Sequence, residues 1–90
     1  MIIERLSFIL SQPDRLQEFI DADTKVWEPW LRQQKGYIRK HYQRYPTGRV
    51  DIRIWWNTKE DLARASADPQ IAVLEVKLKS EFPGVFHALD

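Results

Sequence analysis

The chain has no cysteine. Disulfides, thiolate metal sites and cysteine nucleophiles are therefore excluded, and the absence suits a reducing compartment, so a cytoplasmic location is expected. Histidine is nearly as scarce. His41 and His87 stand far apart, neither with a carboxylate at ligand spacing, and no metal centre is expected. Gly36, Gly48 and Gly84 are isolated punctuation, so no glycine-rich loop can cradle a phosphate. Ser7 has no histidine in its sequence context to make it a nucleophile. No apolar run is long enough to span a bilayer. The stretch MIIERLSFIL carries Glu4 and Arg5 among its apolar residues and lacks a cleavage pattern, so it reads as a strand rather than a signal peptide.

What is present is the composition of a folded domain. Its 90 residues are 43% hydrophobic, too apolar for disorder and too short for two cores, so a single domain over residues 1–90 is expected. The net charge of +1 is unevenly spread. Residues 1–28 hold three bases against six acids, residues 29–57 seven bases against Asp51 alone, and residues 58–90 four bases against six acids. A basic middle thus lies between acidic flanks.

Alternation from Ile2 to Leu10 makes a strand, with Leu6, Phe8 and Leu10 on one face and Arg5, Ser7 and Ile9 on the other. Ser11 offers an N-cap, with Pro13 tolerated in the first turn. Leu16, Phe19, Ile20, Val26, Trp27, Trp30 and Leu31 then form one helical stripe, which Pro29 should kink and Lys35-Gly36 should close. Tyr37 to Tyr45 and the stretch RVDIRIWWN read as a hairpin around Pro46-Thr47-Gly48, with Gly48 at the position needing a left-handed backbone. Pairing Tyr45 with Arg49 sets Tyr42 opposite Ile52, Lys40 opposite Ile54 and Ile38 opposite Trp56. The other face pairs Gln43 with Asp51, His41 with Arg53 and Arg39 with Trp55. Thr58 and Asp61 form a capping box for a short helix, and Asp68-Pro69 opens another. Residues 71–79 fit both periodicities, but the Asp-Pro start and the Lys/Glu content favour helix. Pro83-Gly84 should break it before a last strand from Val85 to Leu89.

The order β-α-β-β-α-β, with its second helix in two pieces, gives an α+β fold. A four-stranded antiparallel sheet carries the helices on one face, the ferredoxin-like arrangement. The other face is left bare and should show Arg5, Ser7, Ile9, Tyr37, Arg39, His41, Gln43, Asp51, Arg53 and Trp55. A second copy covering this face would close a barrel between the two sheets, making the chain its own partner in a homodimer. Such a contact brings arginines together, so Asp51 is expected to pair across the interface, or anions and water to fill the barrel. Base stacking on the same face is a third reading. The nearly neutral charge and the missing glycine-aromatic pattern of RNA-recognition strands argue against it.

On the helix side, Asp23 interrupts the apolar stripe one turn from both Phe19 and Trp27. Lys40 and Tyr42 face it from the second strand. A buried carboxylate needs such a partner, whether as a structural ion pair or as a polar handle in an aromatic cleft. The ligand-cleft candidates are Asp23, Trp27, Lys40, Tyr42 and Trp56. The sheet-face candidates, for an interface or an anion site, are Arg5, Arg39, His41, Asp51, Arg53 and Trp55.

The segments Asp23-x-x-x-Trp27-x-Pro29-x-Leu31 and Gly36-Tyr37-Ile38-x-Lys40 resemble a family of short cyanobacterial proteins. That family is in turn similar to the dimeric α/β-barrel group typified by antibiotic-biosynthesis monooxygenases. The resemblance implies a homodimer and a cleft between sheet and helices in each subunit. In haem-degrading members of the group an Asn on the first strand, a Trp on the third and a His on the second long helix do the chemistry. Here Trp55 or Trp56 matches, but residues 2–10 contain no Asn and residues 58–82 no His, so haem degradation is not implied. Two functional classes follow. One is a barrel protein binding a small aromatic or anionic molecule, with cofactor-free monooxygenase-like activity and no cofactor expected. The other is a non-catalytic self-association or protein-interaction domain, and the sequence leaves the choice open.

Overall fold

The alternation in Arg49–Trp56 becomes a strand whose every second side chain is buried: Val50, Ile52, Ile54 and Trp56. The computed structural model, which describes residues 1–83 and 85–89, arranges the chain around this strand. In order it forms β1 (Ile2–Leu10), a single 3-10 turn (Pro13–Arg15), α1 (Leu16–Leu31), β2 (Tyr37–Arg44), β3 (Arg49–Trp56), α2 (Lys59–Ser66), α3 (Gln70–Glu81) and β4 (Phe86–Ala88). The sheet order is β2-β3-β1-β4, antiparallel throughout. This is the ferredoxin-like α+β fold, with the helices on one side. No helix among the described residues is long and apolar enough to cross a membrane.

Phe19 of α1 is fully buried, with ring centroids of Phe86, Phe82 and Phe8 at 4.9, 5.6 and 6.0 Å. These tilted and edge-on contacts bind α1 to β1, to β4 and to the segment after α3. Leu74 and Leu78 of α3 and Ala65 of α2 complete the helix side of the core. Thr58 caps α2, its hydroxyl accepting from the Asp61 N–H at 3.1 Å. The ambiguous residues 71–79 are helical.

The hairpin register follows the expected pairing from Arg44 to Arg39 and then departs from it. A bulge between Tyr37 and Arg39 places Tyr37, not Ile38, opposite Trp56. Tyr37 therefore turns from the bare face to the helix side, where its ring meets Trp56 edge-on at 6.0 Å, and Ile38 is left 47% exposed.

Ser11 does not cap a helix. Its N–H and hydroxyl both donate to the Val85 carbonyl, at 2.9 and 3.2 Å, because the residue just before β4 offers a tertiary partner. Helix α1 ends at Leu31 rather than at Lys35. Its final carbonyls accept i+3 bonds from Gln33 and Gln34, which tighten the last turn. The last strand is shorter than expected, and the Gly84 half of the Pro83-Gly84 break lies outside the described residues.

Gly36 begins the return from α1 to β2 with φ +86°, and its carbonyl accepts from the Asn57 N–H at 2.7 Å. A Cβ here would land on the Asp61 carboxylate, which Arg64 holds at 2.8 Å. Gly36→Ala should therefore destabilise by about 1–3 kcal/mol, read as a lowered urea midpoint with an unchanged m-value. An unaltered midpoint would mean that the turn relaxes freely.

Candidate functional site

Lys40 donates to Asp23 Oδ2 at 2.6 Å, and the two side chains are only 6% and 4% exposed. The Tyr42 hydroxyl donates to the same oxygen. Both donors thus fall on Oδ2, and Oδ1 takes no hydrogen bond from the described residues. Among these residues no fully buried polar side-chain atom lacks a partner, so Oδ1 must reach open space. Asp23 is also among the residues that line a cavity.

The cavity lies between sheet and helices and has a volume of about 660 Å³, within the range of small-molecule sites. Its walls are mainly apolar: Leu6 and Phe8 of β1, Trp27, Trp30 and Leu31 of α1, Ile52, Ile54 and Trp56 of β3, with Leu62 of α2 and Leu78 of α3. Pleating fixes which strand residues face the helices. Lys40, Ile54 and Glu4 make one cross-strand row, flanked by the row Tyr42, Ile52 and Leu6 and by the row Tyr37, Trp56 and Ile2. The indoles are held in place. Trp56 Nε1 donates to Glu4 Oε1 at 3.2 Å, Trp30 Nε1 to Asp68 Oδ2 at 2.9 Å, and Trp27 packs edge-on to Trp30 at 5.8 Å.

Four of the five cleft candidates, Asp23, Trp27, Lys40 and Trp56, line this cavity. Tyr42 does not. It borders a shallower depression on the outer side of β2, with Thr24, Glu28, Arg32 and Tyr37. Lys40 lines both spaces, and Asp23 lines the inner one. Burial, then the negative charge and hydrogen bond of Asp23, push the Tyr42 phenol far above its usual range, and it stays a neutral donor. Burial and Glu28 likewise raise Tyr37 to about 12. Trp30 and Phe8, expected with Trp27 and Trp56 as the aromatic walls of the cleft, line the cavity too, whereas Glu4 is a cavity residue that the sequence reading did not single out. The signal for Glu4 was its parity with Leu6 and Phe8 along β1.

The opposite sheet face carries Arg5, Arg53 and His41 in one cross-strand row and Ile3, Trp55 and Arg39 in the next. The Arg39 guanidinium lies 4.0 Å from the Trp55 ring centre. Within its own chain, Asp51 accepts from Ser7 at 2.8 Å, Arg49 at 2.8 Å and Tyr45 at 3.2 Å. The Arg49 and Ser7 bonds hold its carboxyl below the usual range. No salt bridge among the described residues includes Arg5 or Arg53. No group of three potential metal ligands occurs among them either.

No family model and no curated protein matches this sequence. The fold, however, is shared. A monooxygenase encoded by ActVA-Orf6 of Streptomyces coelicolor, solved with the ligand nanaomycin D, superposes with a TM-score of 0.74 at 21% identity, over 97% of this chain and 81% of that one. SnoaB, a cofactor-independent oxygenase from Streptomyces nogalater, gives 0.67 at 13% identity, over 97% and 84%. A dimeric ferredoxin-like protein from an uncultured marine organism gives 0.64 at 18%, over 97% and 89%. At these identities the likeness defines the class by architecture: a ferredoxin-like fold of the kind found in monooxygenase-like proteins.

Removing the Asp23 charge strands a buried ammonium. Asp23→Asn should cost about 3 kcal/mol or more, whereas the apolar double variant Asp23→Leu/Lys40→Met should recover most of it. Urea unfolding of the three proteins measures this. A near-wild-type midpoint for Asp23→Asn would show that the pair is not held as described.

Proposed function

We propose that this chain is a homodimeric α/β-barrel protein whose cleft binds a small planar aromatic molecule and oxygenates it without a cofactor. The observation that carries the reading is the aromatic cavity of about 660 Å³ with a buried Asp23–Lys40 pair at its edge. A structural ion pair has no need of open space beside it. The rigid indole walls suit a flat ring. A phenolic hydroxyl at this edge would meet Asp23 Oδ1 as proton acceptor, with the Lys40 ammonium close by to stabilise the phenolate. An electron-rich phenolate conjugated to a ring methylene can react with dioxygen directly. One oxygen atom becomes a carbonyl on that carbon, and the other leaves with its two hydrogens as water, so no further reductant is consumed. The neighbours described as a cofactor-independent oxygenase and as a monooxygenase holding nanaomycin D support this class of chemistry, although fold alone does not confer it.

The dimer is proposed through the bare sheet face. Trp55 and Ile3 give that face apolar surface, and a neighbour of the same fold is described as dimeric. With Asp51 committed within its own chain, the Arg5–Arg53–His41 rows of two copies lack acidic partners there, so anions are assigned the bridging role. A role in assembly alone is the second reading, favoured by the same face.

Titration with nanaomycin D and with a panel of naphthols and anthrones, followed by tryptophan fluorescence, tests the cleft. Saturable quenching is expected, at least about tenfold weaker in Ser66→Trp, which narrows the cavity from an exposed position on α2. No saturable quenching by any of these would withdraw the aromatic-binding reading.

Sedimentation at constant ionic strength tests the interface. The dimer should be tighter in phosphate than in chloride, and a monomer in both salts would overturn the barrel.

A further inference from the structure

We propose that Glu4 is a second polar pole of the cleft, which makes the preferred ligand an elongated fused aromatic with a hydroxyl at each end. This rests on the aromatic-binding reading above and adds a specificity-determining residue to it. Glu4 lies on the cavity side of β1, in the same row as Lys40 with only Ile54 between them. Two strand spacings separate Glu4 from Lys40, about 10 Å between backbones.

The two carboxylates are built alike. In Asp23, Oδ2 takes the donors and Oδ1 is open. In Glu4, Oε1 accepts from Trp56 Nε1, and Oε2 takes no hydrogen bond from the described residues. Each residue lines the cavity and is held through one oxygen, which leaves the other to accept from a ligand. An ionised carboxylate only accepts, so each pole selects a donor on the ligand. The stretch between them is apolar, formed by Ile54 with Trp56 and Ile52 in the adjacent rows. A flat ring system lying over Ile54 would reach both poles through hydroxyls at its far ends. With two carboxylates and one ammonium in the row and its edge, an acidic group at the Glu4 end is rejected by like charge.

Calorimetric titration compares β-naphthol with a naphthalenediol bearing one hydroxyl at the far end of each ring. The wild-type protein should bind the diol at least about tenfold more tightly, the usual gain from a hydrogen bond to a charged group. Glu4→Leu should bring the diol down to the affinity of β-naphthol, and this is a ratio within one protein, so altered stability does not mimic it. The wild-type comparison needs no variant if Glu4→Leu fails to fold. Equal affinities in the wild type, or a diol preference that persists in Glu4→Leu, would overturn the role of Glu4 while leaving the cleft as a binding site. Tighter binding of the corresponding aminonaphthol, amine toward Glu4, would overturn the hydroxyl assignment. Failure of every aromatic to bind would remove the cleft reading and this inference together.

Discussion

Strand β3 is paired on both sides, with β1 and with β2, and the two registers meet at Ile54. That double pairing is the constraint on which the rest of the molecule depends. Side chains alternate with a period of two, so slipping either register by one residue would exchange the faces of a whole strand. Arg39 and His41 would then meet the Phe19 core, and Lys40 would leave Asp23 without a partner. The apolar residues of β3 oppose such a slip, since Val50, Ile52, Ile54 and Trp56 would all move to the other face, at roughly 1.5–3 kcal/mol for each large side chain brought out of the core.

The core so defined is incompletely filled, and the way its walls are held explains why the space does not close. Large indoles collapse into voids when nothing restrains them. Here Trp56 is tied to Glu4 and Trp30 to Asp68, and Asp68 is itself engaged at the start of α3 through the Gln70 N–H at 2.9 Å. The opening of a helix is thereby coupled to the wall of the cavity. The polar groups that line the space also hold it open.

Much of this was legible in the chain itself. The hairpin could be read because alternation, turn chemistry and Gly48 agree, and Asp23 stood out because it broke an apolar stripe. The bulge beside Ile38 was not legible, since a single extra residue leaves almost no trace in periodicity. It moved Tyr37 to the helix side. Glu4 was hidden for a different reason: a charge in a strand reads as surface unless a cavity lies above it. Ser11 was misread because local capping preference takes no account of Val85, distant in sequence and adjacent in space. The bonds of Asp51 within the chain went unread because Ser7 and Tyr45 lie on β1 and beside the hairpin turn, and periodicity does not report which side chains meet there.

The two margins of the sheet are unlike but share an effect. Strand β4 spans only Phe86–Ala88, and β2 carries the bulge between Tyr37 and Arg39 amid basic side chains. A smooth, uncharged edge strand would accept the edge of a further copy, and each addition would expose a fresh edge for the next. A short margin and a kinked, positively charged one interrupt that series. Copies of this chain are therefore poor building blocks for an endless ribbon, and association that stops at a fixed size is the kind the fold permits.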